Sequence, residues 1–182
     1  WLEVRPMDFE AIANRGVQEF FEWVKMRSHL LRGITFGTML RDEAYLFIRL
    51  GTYMERPDNT ARLLDVTYRT SLLPYQPQEP GLAWAEPWAV PLISTGGATA
   101  FYESYPALTA ENVLRFMILD ADNSSSIFCC LRAARESARS VRGAITSEMY
   151  EDLNSAWIEM RGHDYQRVQS IGVSEFLDWV KM

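Results

Sequence analysis

The chain has 182 residues, 48% of them hydrophobic, with eight Pro and ten Gly, which suffices for one well-buried core, so disorder is not the default. A net charge of −6 and a pI near 5 argue against a nucleic-acid or anionic-membrane surface, so neither is expected as a partner. Arg, Glu or Asp cuts every hydrophobic run before the roughly 18 apolar residues that a membrane span requires.

In chain order, Val17, Phe20, Phe21, Val24 and Leu31 follow helical spacing, and Gly33 is a plausible stop. A bend is expected from Gly33 to Gly37, after which Thr38 can cap a new helix with Asp42 and Glu43 near its positive end. This helix carries the most unusual stretch of the sequence, residues 49–66. Steps of three and four from Tyr45 give Ile48, Thr52, Glu55, Asn59, Arg62 and Val66, a row with apolar ends and an ionic middle. Phe47, Leu50, Met54, Ala61 and Leu64 form a neighbouring apolar stripe, so the ionic middle is expected beside the core. Pro57 lies inside, removes an amide donor and predicts a kink or two helices meeting end to end.

Pro74, Pro77, Pro80, Pro87 and Pro91 then predict an irregular connection pinned by Trp84 and Trp88. A short helix is expected between residues 88 and 105, loosened by Gly96 and Gly97. Thr109 predicts an N-cap for a helix over 111–119, and residues 120–126 have turn chemistry. The next helix, 126–142, has the core stripe Ile127, Leu131, Ala134, Ala138 and Val141, flanked by Arg132, Arg135, Glu136, Arg139 and Arg142. Thr146 can cap a last helix with Met149, Leu153, Ala156, Trp157 and Met160 inward. No segment alternates with a strand's period of two, so the fold class is all-α, a helical bundle of about six helices per period.

A period exists because the ends repeat. Trp1-Leu-Glu-Val-Arg5 through Gly16-Val-Gln-Glu-Phe-Phe-Glu-Trp-Val-Lys-Met26 aligns without a gap with Trp157-Ile-Glu-Met-Arg161 through Gly172-Val-Ser-Glu-Phe-Leu-Asp-Trp-Val-Lys-Met182, at an offset of 156. The expected organisation is one unit over 1–156 and the start of a second copy over 157–182, within a longer duplicated protein whose natural termini are not the ends of this chain.

Two helices thus carry charge beside apolar stripes, one with Glu55, Arg56, Asn59 and Arg62, the other with Arg132, Arg135, Glu136 and Arg139. If they pack side by side, Glu55 can accept a bidentate bond from Arg135 or Arg139, while Glu136 can neutralise Arg62 or its own helix neighbours. Such a set is either a structural ion-pair network, in which losing one buried partner costs roughly 3–5 kcal/mol, or the lining of a ligand or docking surface. An excess of Arg over carboxylate leaves room for a peptide or carboxylate ligand. Other chemistries fare worse. His29 and His163 fit neither the Glu-x-x-His pairs of a di-iron bundle nor a catalytic triad, and no glycine-rich phosphate loop is present. Cys129 and Cys130 are adjacent, which strains a mutual disulfide and gives no metal-ligand spacing, so no metal and no cofactor is expected and a reducing, cytoplasmic compartment suits them.

Several segments carry a specific resemblance: Phe20-Phe-Glu-Trp-Val-Lys25, Arg27-Ser-His-Leu30, Gly37-Thr-Met-Leu-Arg-Asp-Glu-Ala44, Phe47-Ile-Arg-Leu-Gly-Thr52, Glu55-Arg56, Asp58-Asn-Thr-Ala-Arg-Leu-Leu-Asp-Val66, Ser124-Ser-Ser-Ile127, Cys130-Leu-Arg-Ala-Ala-Arg-Glu136 and Ser147-Glu-Met149. With these the chain resembles the bacterial alpha-E family, helical domains with a Glu-Arg motif in tandem duplication. Pro57 and Ser124 depart from it, standing where the family usually has a small helix-former and a proline. The resemblance implies a setting beside circularly permuted ATP-grasp ligase-like proteins, in peptide synthesis or peptide modification. It points to a non-catalytic helical partner or scaffold. The alternatives are an enzyme acting on a carboxylate or amide, with Glu55 as acid or base, and a purely structural module.

Overall fold

Every regular element among the described residues of the computed structural model, which are 16–73, 86–141 and 144–181, is helical. They belong to two compact units, Trp1–Tyr45 and Leu46–Met182.

In the first unit, α1 spans Val17–Thr38. The stop expected at Gly33 does not occur. A Cβ at Gly33 or Gly37 would meet nothing within 4 Å, so neither glycine marks a turn or a close approach, and a helical glycine costs only about 1 kcal/mol against alanine. Thr38 is the last helical residue rather than a cap, and its hydroxyl donates back to the Ile34 carbonyl at 2.7 Å. Asp42 takes the capping role instead, since its Oδ1 accepts the Tyr45 N–H at 3.1 Å. Tyr45 packs edge-to-face on Phe36, with ring centroids 5.9 Å apart.

The helix that follows, α2, runs over Glu43–Ser71 and passes through Pro57 without breaking. Of the two expected outcomes, two helices meeting end to end does not occur, and the turns after Pro57 are held by packing. Ala61 and Leu64 are fully buried, and the Thr60 hydroxyl bonds across to the Ser125 carbonyl at 2.9 Å. Those contacts outweigh the roughly 3 kcal/mol cost of a helix-interior proline.

Beyond residue 86, α3 (Ala89–Thr95) and α4 (Ala98–Ser104) meet at Gly96, whose φ of 73° is left-handed and ends α3. Thr109 caps α5 (Ala110–Leu114), as its spacing predicts, by accepting the Asn112 N–H. The chain then widens into a single π turn, Arg115–Leu119. There Asn123 donates from its side-chain amide to the Phe116 carbonyl at 3.0 Å. Ser126 caps α6 (Ile127–Ser140) by accepting the Cys129 N–H. The next helix, α7, spans Ala144–Arg161, so Thr146 lies inside it rather than ahead of it. Two short helices, α8 (Tyr165–Ile171) and α9 (Val173–Val180), complete the second unit.

Nine α-helices are therefore present among the described residues, seven of them starting between 17 and 156, not about six. The extra one arises where the left-handed Gly96 divides the short helix expected over 88–105. Pro74, Pro77, Pro80, Trp84 and Arg142, the side chain of Thr146 and the first fifteen residues of the repeat lie outside the described residues. Among those described, no helix is long and apolar enough to cross a membrane.

The main core of the second unit gathers Ala61 and Leu64 of α2, Leu92, Phe101, Met117, Met160 and the α9 pair Phe176 and Leu177. Trp88 joins it at 6% exposure, as expected for an anchoring indole. A smaller cluster joins Leu50 of α2 to Ala134 and Ala138 of α6 and Leu153 of α7.

Candidate functional site

Helical geometry decides which side of α2 is available. Pro57, Ala61 and Leu64 are buried, and Glu55 lies two residues from Pro57, a rotation of about 200° around the axis. Of the row, Ile48, Glu55, Asn59, Arg62 and Val66 consequently face solvent, with Ile48 42% and Val66 63% exposed, and Thr52 is half-buried. The ionic middle of the helix is not beside the core. Of the expected apolar stripe, Leu50, Ala61 and Leu64 are buried, whereas Phe47 and Met54 are exposed.

The two residues of the Glu-Arg pair have different surroundings. Arg56 is half-buried and donates from Nη1 to the Ser124 carbonyl at 3.0 Å, and its guanidinium lies 5.5 Å from the Tyr53 ring centroid. Among the described residues Glu55 makes no side-chain hydrogen bond or ion pair.

Residues 120–126 explain what Arg56 does. Asp120 Oδ1 accepts the N–H groups of Asp122 and Asn123, both at 2.8 Å, and Asn123 Oδ1 accepts that of Ser125 at 3.0 Å. The Ser126 hydroxyl donates to the Asp120 carbonyl. This internal bonding occupies the amides of Asp122, Asn123 and Ser125, and neighbouring helices reach three of the turn's carbonyls. Arg56 and Thr60 of α2 take Ser124 and Ser125, and Arg132 of α6 takes Ala121 at 2.8 Å. Beneath the turn, burial pushes the Cys130 thiol up to about 12.

Arg135 has a third kind of role. Its Nε donates to Asn154 Oδ1 at 2.6 Å, its Nη2 reaches the Tyr150 hydroxyl at 3.4 Å, and its guanidinium lies 4.5 Å from the Trp157 ring centroid. It ties α6 to α7. Arg62 pairs with Asp58 on its own helix at 2.7 Å, an exposed i,i+4 contact.

The cross-helix pairing expected between Glu55 and Arg135 or Arg139, and between Glu136 and Arg62, is absent among the described residues. Arg132 and Arg135 are taken up by a turn carbonyl and by α7, while Glu136 and Arg139 stand exposed on α6 without a side-chain partner among the described residues. Of the eight candidates, then, Arg56, Arg132 and Arg135 brace the fold, Arg62 is held by Asp58, and Glu55, Asn59, Glu136 and Arg139 remain available.

Two participants escape a reading by charge. Thr60 is 3% exposed and joins α2 to the turn; its position one step from Ala61 was the available signal. Asp65, also buried, accepts from Arg69 and Lys181, both at 2.9 Å. Burial raises its proton affinity, but the two hydrogen bonds and cationic charges outweigh that and hold its carboxyl below the ordinary range. Among the described residues no group of three or more His, Cys, Asp or Glu could hold a metal ion.

A family model described as a predicted alpha-helical domain with a conserved ER motif matches the chain over residues 1–85 and again over 53–182. Both matches include Glu55-Arg56, the one place in the sequence where Arg follows Glu directly. No curated protein and no solved structure matches the chain.

Proposed function

The chain belongs to the Alpha-E family, and on that premise we propose that it is a non-catalytic helical partner that docks through the exposed side of α2. The observation that carries this reading is the division within the Glu-Arg pair: Arg56 is engaged in the fold, whereas Glu55 is exposed and unpaired among the described residues. A carboxylate that the fold does not use is available to a second molecule. Phe47, Ile48 and Met54 are 50%, 42% and 46% exposed on the same stretch, so the acid is accompanied by apolar area of the kind that forms the centre of an interface.

The partner we propose is a circularly permuted ATP-grasp ligase-like protein, or its peptide product, in a bacterial cytoplasmic peptide-modification system. An acid–base role for Glu55 would require neighbours that hold a substrate against it, and its surroundings offer less support for that than for docking. The test is co-purification of the chain with a circularly permuted ATP-grasp ligase-like protein from the same genome. Glu55→Arg and Phe47→Asp should each abolish the complex while leaving the melting temperature unchanged. Undiminished co-purification by both variants would overturn the proposal.

A further inference from the structure

Where both copies of the repeated segment are described, over residues 16–25 and 172–181, they have the same local construction but opposite surroundings. Both helices begin at a glycine in the same rarely occupied backbone state, Gly16 at φ 96° and ψ 122°, Gly172 at φ 103° and ψ 127°. Each carries an acid three residues before its lysine, and the pairs form in both, Glu22 with Lys25 at 3.8 Å and Asp178 with Lys181 at 2.7 Å. Beyond this the copies differ. In α9, Leu177 is fully buried and Val173 is 8% exposed, and Lys181 extends to Asp65 in the core at 2.9 Å. The matching positions in α1, Phe21 and Val17, are 63% and 52% exposed, and α1 has no buried residue. Lys25 has Glu22 alone as an ion partner among the described residues.

We infer that the first part of α1 is a closing helix of the same kind as α9, and that what covers it is a second core of this repeat. That core would be a bundle like the one residues 46–160 build, supplied by another copy of the repeat, with an aspartate equivalent to Asp65 receiving Lys25. Two independent features specify this occupant. The apolar positions of α9 repeat along α1, and burying them is favourable only against a surface shaped to take them. The lysine that bridges Asp178 and the buried Asp65 in one copy has no buried acid beside it in the other among the described residues. The repeat is accordingly phased with its closing helix after the core it closes, so 173–181 completes the core that precedes it, and 17–25 completes a core belonging to another copy.

The test uses the chain of residues 1–182. Phe176→Asp with Leu177→Asp expels the resident closing helix, and that variant is co-expressed with the wild-type chain. A soluble one-to-one complex by light scattering is expected. It should be lost when the wild-type partner carries Phe20→Asp with Phe21→Asp, and Lys25→Glu should weaken it roughly tenfold. A variant that stays unassociated or insoluble beside the wild type overturns the inference, as does a complex that survives Phe20→Asp with Phe21→Asp. Wild-type dimers that need Phe20 and Phe21 but not the vacated seat would show that α1 pairs with α1, which also overturns it. A tandem chain with residues 27–156 placed ahead of Trp1 gives a second readout that needs no destabilised variant. Amide exchange over 17–26 should slow roughly a hundredfold relative to the single chain, and unchanged exchange rejects the proposed seat.

Discussion

Arg56 and Ser124 are 68 residues apart in sequence, and one hydrogen bond of 3.0 Å from the guanidinium to the carbonyl attaches α2 to the turn ahead of α6. The neighbouring Glu55 has no such tie among the described residues. Of two adjacent side chains, one is thereby tied into the fold and the other is not. Arg56→Ala is expected to lower the unfolding free energy by about 1 kcal/mol, the size of a partly exposed charge-assisted bond. Glu55→Ala should stay within about 0.5 kcal/mol of wild type. Urea denaturation of both variants checks the division, and equal losses would contradict it.

Thr60 repeats the same attachment from a buried position, at 3% exposure, with its hydroxyl 2.9 Å from the Ser125 carbonyl. Thr60→Val keeps the shape and removes the donor, leaving that carbonyl without its partner. A loss of about 1–3 kcal/mol is expected, and Thr60→Ser should recover much of it. Chemical denaturation at neutral pH measures both.

Asp65 makes stability depend on acidity. Its folded-state proton affinity is lowered, because the bonds and charges of Arg69 and Lys181 outweigh the opposing effect of burial. The contribution is therefore fully present above the unfolded-state value of about 3.9 and disappears as pH falls through the lower folded value. Asp65→Asn should lower the melting temperature at pH 7, and the gap from wild type should narrow as the pH falls below about 4. A gap that is constant from pH 7 to pH 3 would show that the cluster does not stabilise by charge.

The two adjacent thiols should react differently. Cys130 is fully buried, and burial pushes its thiol up to about 12, while Cys129 is half-buried. Thiolate is the reactive form, so at pH 8 a maleimide should label Cys129 first and reach Cys130 only upon unfolding. Mass spectrometry of Cys129→Ser and Cys130→Ser variants reads the two rates separately.

What the sequence determined by itself is local. Helical spacing and the lack of any two-residue period establish an all-α chain, Thr109 marks the start of α5, residues 120–126 are a turn, and the offset of 156 between the two copies is visible in the letters alone. The choice of face on α2 was not legible, because Ile48 and Val66 lie on the ionic row while Phe47 and Met54 extend the apolar one. Which row goes inward depends on what the rest of the chain brings to it. The tertiary structure decided that Pro57 does not interrupt α2, that Arg56, Arg132 and Arg135 bind backbone and polar groups rather than Glu55, and that one segment is buried in one copy and exposed in the other. The physical reason is common to all three. Backbone periodicity follows from neighbours in sequence, whereas the burial of a face and the partner of a charge depend on surfaces brought together from distant parts of the chain.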